Sequence, residues 1–149
     1  MVDSRAKGQR GEYIVRDLLR AKTGYQFERV PASGALEYLK GDLYIPRLDR
    51  EKNKFCIEVK SYADSHLTDK LFTQPKTNKI IVWWSKLKQQ AAGGEQDPLL
   101  FFKYNRSKIF VATEVNPKGS ERYLHIHWLD CYVMLAEEWL DSETIEWVY

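Results

Sequence analysis

Four residues have types and an order that could do chemistry: Glu12, Asp42, Glu58 and Lys60. Asp42 opens a short stretch of strand character. Glu58 and Lys60 occupy alternate positions of another, so a period of two sets both on one face. Two carboxylates on neighbouring strands can converge on one hard cation, which prefers oxygen ligands, and Mg²⁺ takes only one or two carboxylates from a protein. Asp42 and Glu58 therefore suffice for it. Lys60 points the same way and can reach an attacking water or a phosphate oxygen. Such a site suits phosphodiester hydrolysis, in which the cation makes water a better nucleophile, stabilises the developing charge and orients the ester. The lysine adds positive charge at the scissile phosphate. Each residue also has an ordinary structural use. Glu-x-Lys is the pattern of a half-exposed strand face with an ion pair, Asp after Gly is a turn pattern, and Glu12 alone reads as a solvated helix residue. What sets them apart is their order: helix Glu, strand Asp, hairpin, strand Glu-x-Lys.

The elements that must position them follow from apolar periodicity. Residues 5–23 read as a helix, with Asp3 and Ser4 as N-cap candidates and Gly24 as the stop. Ile14, Val15, Leu18 and Leu19 form its apolar stripe, and Glu12 lies at the stripe's edge. Strands are predicted over 25–30, 42–45 (closed by Pro46) and 54–60, the last two joined by the charged turn 49–53. In the third strand Phe55, Ile57 and Val59 alternate with Cys56, Glu58 and Lys60. Residues 61–78 are polar and loop-rich. A helix fits 79–92 through Ile80, Trp83, Trp84, Leu87 and Ala91, ended by Gly93-Gly94. Strands fit 99–104, 108–113 and 123–128, and residues 129–140 read as helical. The fold class is α/β, a central mixed sheet flanked by helices.

Composition sets bounds on this reading. The chain has 149 residues, 44% hydrophobic and 30% charged, which fits one domain with a real core. A disordered chain, a collagen-like repeat and a disulfide scaffold are excluded. The formal net charge of +2 hides an asymmetry: residues 1–90 carry 18 Lys or Arg against 11 Asp or Glu, and residues 91–149 carry 5 against 10. A basic portion of this kind suits a polyanion. Cys56 and Cys131 show no ligand spacing and sit in apolar stretches, the pattern of buried free thiols in a reducing compartment. No apolar leader is visible at the N-terminus. The longest apolar run, 80–84, is far short of a membrane span. A soluble, cytoplasmic protein is expected, with no membrane partner.

Gly41-Asp42 followed by Glu58-Val59-Lys60 resembles the signature of the PD-(D/E)xK nucleases. Within that superfamily the chain is most similar to the archaeal-type Holliday junction resolvases, a group with viral members. The stretches that carry the likeness are Gly11-Glu12-Tyr13-Ile14-Val15, Arg29-Val30-Pro31-Ala32-Ser33-Gly34, Gly41-Asp42-Leu43 and Ile57-Glu58-Val59-Lys60-Ser61. The resemblance implies a restriction-endonuclease-like core over about residues 5–113, with 114–149 as a C-terminal elaboration of the same domain. It implies that Asp42 and Glu58 bind Mg²⁺ (Mn²⁺ substituting) together with the backbone carbonyl of Val59, and that Lys60 positions or activates the attacking water. Glu12 would complete the acidic cluster directly or through water. Ser33 would act in cleavage and DNA contact, and Arg29 would touch the DNA backbone. A homodimer acting on four-way DNA junctions, each subunit nicking one strand, is implied, with no small-molecule cofactor. Other readings of the same fold are a repair, flap or restriction-type nuclease, or a DNA-binding module without catalysis. The sequence departs from the resolvases at Tyr13, where they commonly have Arg, and at Gly41, where Pro is usual.

Further residues could serve such a protein. Arg5, Lys7 and Arg10 are placed to grip phosphates, with Gly8 and Gly11 allowing close approach. Lys70, Lys76 and Lys79 would extend the basic face. His125 and His127 fall on one strand face with no third ligand, the pattern of an ordinary strand. The aromatic tail, with Trp128, Tyr132, Trp139, Trp147 and Tyr149, reads as core or as a dimer surface.

Overall fold

Alternation along the central strands sends apolar side chains to both faces of a sheet, and helices cover each face. The computed structural model describes residues 4–31, 39–142 and 145–149. Helix α1 spans Ser4–Thr23. Strands β1 (Glu28–Arg29), β2 (Leu43–Tyr44) and β3 (Phe55–Tyr62) follow, then helices α2 (Lys70–Thr73) and α3 (Lys79–Gly93). Strands β4 (Asp97–Tyr104), β5 (Phe110–Thr113), β6 (Leu124–Ile126) and β7 (Cys131–Leu135) lead to helix α4 (Ala136–Asp141). The seven strands form one sheet in the order β1-β2-β3-β4-β5-β7-β6. Only β3 and β4 run parallel. A parallel pair needs a long crossover, and α2 with α3 supplies it.

On one face Cys56, Leu100, Phe102, Tyr104, Ala112 and Val133 pack against Ile80, Trp83, Trp84, Leu87 and Ala91 of α3. On the other, Phe55, Ile57, Leu99, Phe101, Val111 and Met134 pack against Val15 and Leu19 of α1 and Trp139 of α4. The expected apolar face of α3 is thus buried residue for residue. Its start is fixed by Asn78, whose Oδ1 accepts from the Ile80 N–H at 3.0 Å while its Nδ2 donates to the His66 carbonyl at 3.0 Å. Strand β4, from Pro98 to Phe102, is buried on both faces, as befits the centre of such a sheet.

Helix α1 ends as expected at Gly24, which takes φ +79° and donates to the Arg20 carbonyl. Its stripe is narrower than predicted. Val15 and Leu19 are buried, but Ile14 is 45% exposed because the sheet meets the helix one position further round.

The largest departure is in 129–140. Residues 131–135 form strand β7 between β5 and β6, and only 136–141 are helical. Cys131 and Val133 face α3 while Met134 faces α1. A strand buried on both faces is a continuous apolar run, which mimics a helix start. The preceding strand is shorter than predicted: β6 ends at Ile126 and a 3₁₀ turn takes up His127–Leu129. His125 therefore stacks on Tyr132, centroids 4.4 Å apart, and His127 leaves the strand. β1 is confined to Glu28–Arg29, and β3 runs on to Tyr62, into the segment expected as loop.

The C-terminal residues return to the start of β3. Lys52 and Tyr149 exchange backbone hydrogen bonds and the Lys54 N–H donates to the Trp147 carbonyl. Trp139 and Trp147 complete a buried aromatic cluster with Phe27 and Phe55, whereas Trp128 and Tyr149 are exposed. Both cysteines are free and buried, and burial pushes each thiol up to about 12. Among the described residues no helix is long and apolar enough to cross a membrane.

Candidate active site

Three elements bring the acidic residues together: the N-terminal half of α1, the residue before β2, and the middle of β3. Asp42 is held by backbone bonds on both sides. Its N–H donates to the Ile57 carbonyl at 2.6 Å, and its carbonyl accepts from the Val30 N–H at 2.8 Å. Its side chain turns onto β3, where Oδ2 accepts the Val59 N–H at 2.8 Å. This last bond locks the Asp42 carboxyl against the Glu58-Val59-Lys60 segment.

Gly41 makes the approach possible. It adopts φ +84°, and a Cβ there would fall on the Ile57 carbonyl oxygen. The Pro usual in the resembling resolvases has φ near −65°, so in this chain glycine is the residue the local backbone requires. Gly41→Ala is expected to cost about 2–4 kcal/mol, read from the urea midpoint. An unchanged midpoint would show that β3 yields at no cost. Gly11 does for α1 what Gly41 does for Asp42. It is buried, and a Cβ on it would lie 3.1 Å from Ser61 Cβ and 3.8 Å from Val59 Cγ1. Its missing side chain lets the helix sit close on β3. Gly8 has open space around it.

Glu58 and Lys60 share the α3 face of β3, as the alternation predicts, with Lys60 Nζ 3.5 Å from Glu58 Oε1. The electrostatics of the acidic pair are strained. Burial first, and then the Glu58 charge, push the Asp42 carboxyl up to about 7. Burial also raises Glu58, against the pull of Lys60. A half-buried anionic pair that favours protonation is a site that a cation would relieve.

Glu12 lies on the flank of this pair, and its charge contributes to raising both carboxyls. Its own carboxylate is taken by Arg29, whose Nε donates to Oε2 at 2.7 Å. The same guanidinium donates to the Tyr13 hydroxyl at 3.2 Å and lies 5.0 Å from the Tyr13 ring centre. Tyr13 also carries Arg16 over its ring at 4.7 Å. At the position where the resolvases commonly have Arg, the chain thus has an aromatic residue that gathers two arginines, Arg29 paired with Glu12 and Arg16 with Asp17 at 2.8 Å. Among the described residues, no three His, Cys, Asp or Glu side chains are arranged to hold a metal ion. The donors at hand are two carboxylates, oxygen ligands of the kind a hard cation takes.

The remaining sequence-predicted residues are more scattered. Ser33 lies outside the described residues, as do Asp3 and the rest of 32–38. Lys7 is engaged, its Nζ donating to Asn105 Oδ1 at 2.8 Å in the β4–β5 turn, while Arg10 is exposed. Lys79 borders a cleft of about 380 Å³ between β3 and α3, lined also by Glu58, Lys60, Trp83 and Lys86. Lys86 was not singled out from sequence. Its spacing of seven from Lys79, which returns to the same helix face, was the available signal.

A carboxylate pair beside a strand lysine is thus set on a mixed sheet between helices. The model of the family described as "Phage putative PDDEXK endonuclease" matches residues 3–146, and the chain belongs to that family. It is an endonuclease of the PD-(D/E)xK class. Across 155 aligned positions it is 35% identical to Protein D14 of Escherichia phage T5, covering 97% of this chain and 96% of that one. It is also similar to the solved structure of Hjc, a Holliday junction resolvase from the archaeal hyperthermophile Archaeoglobus fulgidus. That likeness has a TM-score of 0.44 and 15% identity, over 89% of this chain and 91% of the other.

Proposed function

We propose that this protein is a Mg²⁺-dependent, structure-selective endodeoxyribonuclease that resolves four-way DNA junctions as a homodimer, each subunit hydrolysing one strand. The observation that carries the reading is the Asp42–Glu58 pair. It is fixed by the Val59 N–H and is destabilised as a pair of free anions. It stands in the ordered set Glu12, Asp42, Glu58, Lys60 that resembles the junction resolvases.

Asp42 and Glu58, with the Val59 carbonyl, would hold the ion, which when bound supplies Lewis acidity and charge neutralisation at the phosphate. Lys60, anchored against Glu58, orients the attacking water and adds positive charge as the phosphorane forms. Glu12 tunes the pair by its charge and holds Arg29, which with Arg10 meets the flanking phosphates. These contacts are electrostatic, so affinity falls steeply with salt.

The test is incubation of the purified protein and Mg²⁺ with a labelled synthetic four-way junction and, separately, with its duplex arms. Paired nicks near the crossover, leaving 5′-phosphate and 3′-hydroxyl ends, with duplex left largely intact, are expected. Equal cutting of plain duplex would replace the reading by a repair or restriction-type nuclease.

A further inference from the structure

We propose that the cleft between β3 and α3 receives a single-stranded stretch of DNA beside the cutting point, with Lys79 and Lys86 on its phosphates and the Tyr62 ring as the surface on which an unpaired base stacks. This deepens the nuclease reading and rests on it for the position of the scissile phosphate.

The row of side chains that β3 turns towards α3 continues past the acidic pair. After Glu58 and Lys60 comes Tyr62, about 7 Å beyond the lysine along the strand. Its ring lies 5.0 Å from that of Trp83, tilted by 32°, and meets the edge of His66 at 5.7 Å. Both supports are themselves fixed. Trp83 is buried in the α3 core, and His66 is held through Nδ1 to the Tyr104 hydroxyl at 3.1 Å and through its carbonyl to Asn78. Tyr62 is nonetheless 40% exposed. A rigidly backed aromatic with an open side, at the end of a row carrying the hydrolytic groups, is a platform for a flat apolar partner.

Charge identifies the partner. Trp83 also lines the 380 Å³ cleft, whose rim carries Lys60, Lys79 and Lys86 against the single acid Glu58. Lys60 is paired with Glu58, but neither Lys79 nor Lys86 has a carboxylate partner among the described residues. A basic groove with an aromatic step is the combination that tracks a single-stranded nucleic acid, because stacking on a side chain needs an exposed base face. In an intact duplex those faces are already stacked. A nucleotide that has left the stack offers that face.

The experiment reads binding rather than cutting. The full chain in EDTA is titrated with a short oligonucleotide carrying 2-aminopurine, as a single strand and as a duplex. The expected result is a quench of the single strand's fluorescence on binding. Tyr62→Phe should keep that quench. Tyr62→Ala should lose it and bind the single strand about tenfold more weakly, with duplex affinity unchanged. Lys86→Gln, exposed and outside the core, should flatten the salt slope of single-strand binding by about 0.7. If Tyr62→Ala quenches and binds as the wild type does, or weakens duplex equally, the platform is refuted. Failure of the nuclease reading looks different: no Mg²⁺-dependent cutting of any substrate, with the Tyr62-dependent quench intact.

Discussion

Asp42→Asn is expected to reduce cleavage at least about 10³-fold while making the metal-free protein more stable above pH 7. The two effects share one cause. The folded chain holds a proton on Asp42 up to about pH 7, whereas an ordinary carboxyl releases it near 3.8. The folded state therefore binds more protons than the unfolded state between those values, and the stability of the metal-free protein falls as pH rises through that window. At pH 8 the folded chain carries both anions, which burial and mutual repulsion disfavour. Asparagine removes one charge and keeps an oxygen for the Val59 N–H, the bond that locks the loop onto β3. A gain of about 1–3 kcal/mol, or several degrees in melting temperature, follows at pH 8 and vanishes near pH 4. Thermal melts of both proteins in EDTA at the two pH values check the sign. Loss of stability at pH 8 would mean that the pair is relieved within the apoprotein.

Lys60→Gln is expected to lower the single-turnover cleavage rate about 10²–10³-fold at saturating DNA and metal, with little change in the DNA concentration for half-maximal rate. Lys60 sits 3.5 Å from Glu58 on the face turned to the cleft, so its charge acts on groups gathered there. It is not a core residue, and its loss leaves the sheet intact. Lys60→Arg keeps the charge but not the compact ammonium, and should recover only part of the rate. A variant that weakened DNA binding in proportion to rate would place Lys60 among the phosphate contacts instead.

Helices α1 and α3 are legible in the sequence because each packs one side on a sheet, and a one-sided helix writes its period into the chain, whereas the single turn of α2 falls in the segment expected as loop. β3 was legible through alternation, and with it the Glu58–Lys60 face. The tail was not. β7 has neighbours on both edges and helices over both faces, so its residues are apolar without a period. The candidate site was legible as a set of residue types in order, but not as an electrostatic arrangement. The Glu12–Arg29 pair joins residues 17 positions apart and depends on β1 lying beside α1. The need for Gly41 appears only when Asp42 is seen pressed on Ile57. Tyr62 closes β3 in a segment that composition marks as loop, so its place in the row of Glu58 and Lys60 shows only in the fold.

The central claim is that Asp42 and Glu58 form a cation site whose occupancy competes with a proton. Mn²⁺ binding, followed as loss of the free-ion electron paramagnetic resonance signal, tests it most directly when wild type and Glu58→Gln are titrated at pH 6 and pH 8. Wild type is expected to bind at pH 8 and much more weakly at pH 6, where Asp42 keeps its proton, and Glu58→Gln to bind at neither. Equal binding by Glu58→Gln and wild type at pH 8 would contradict it.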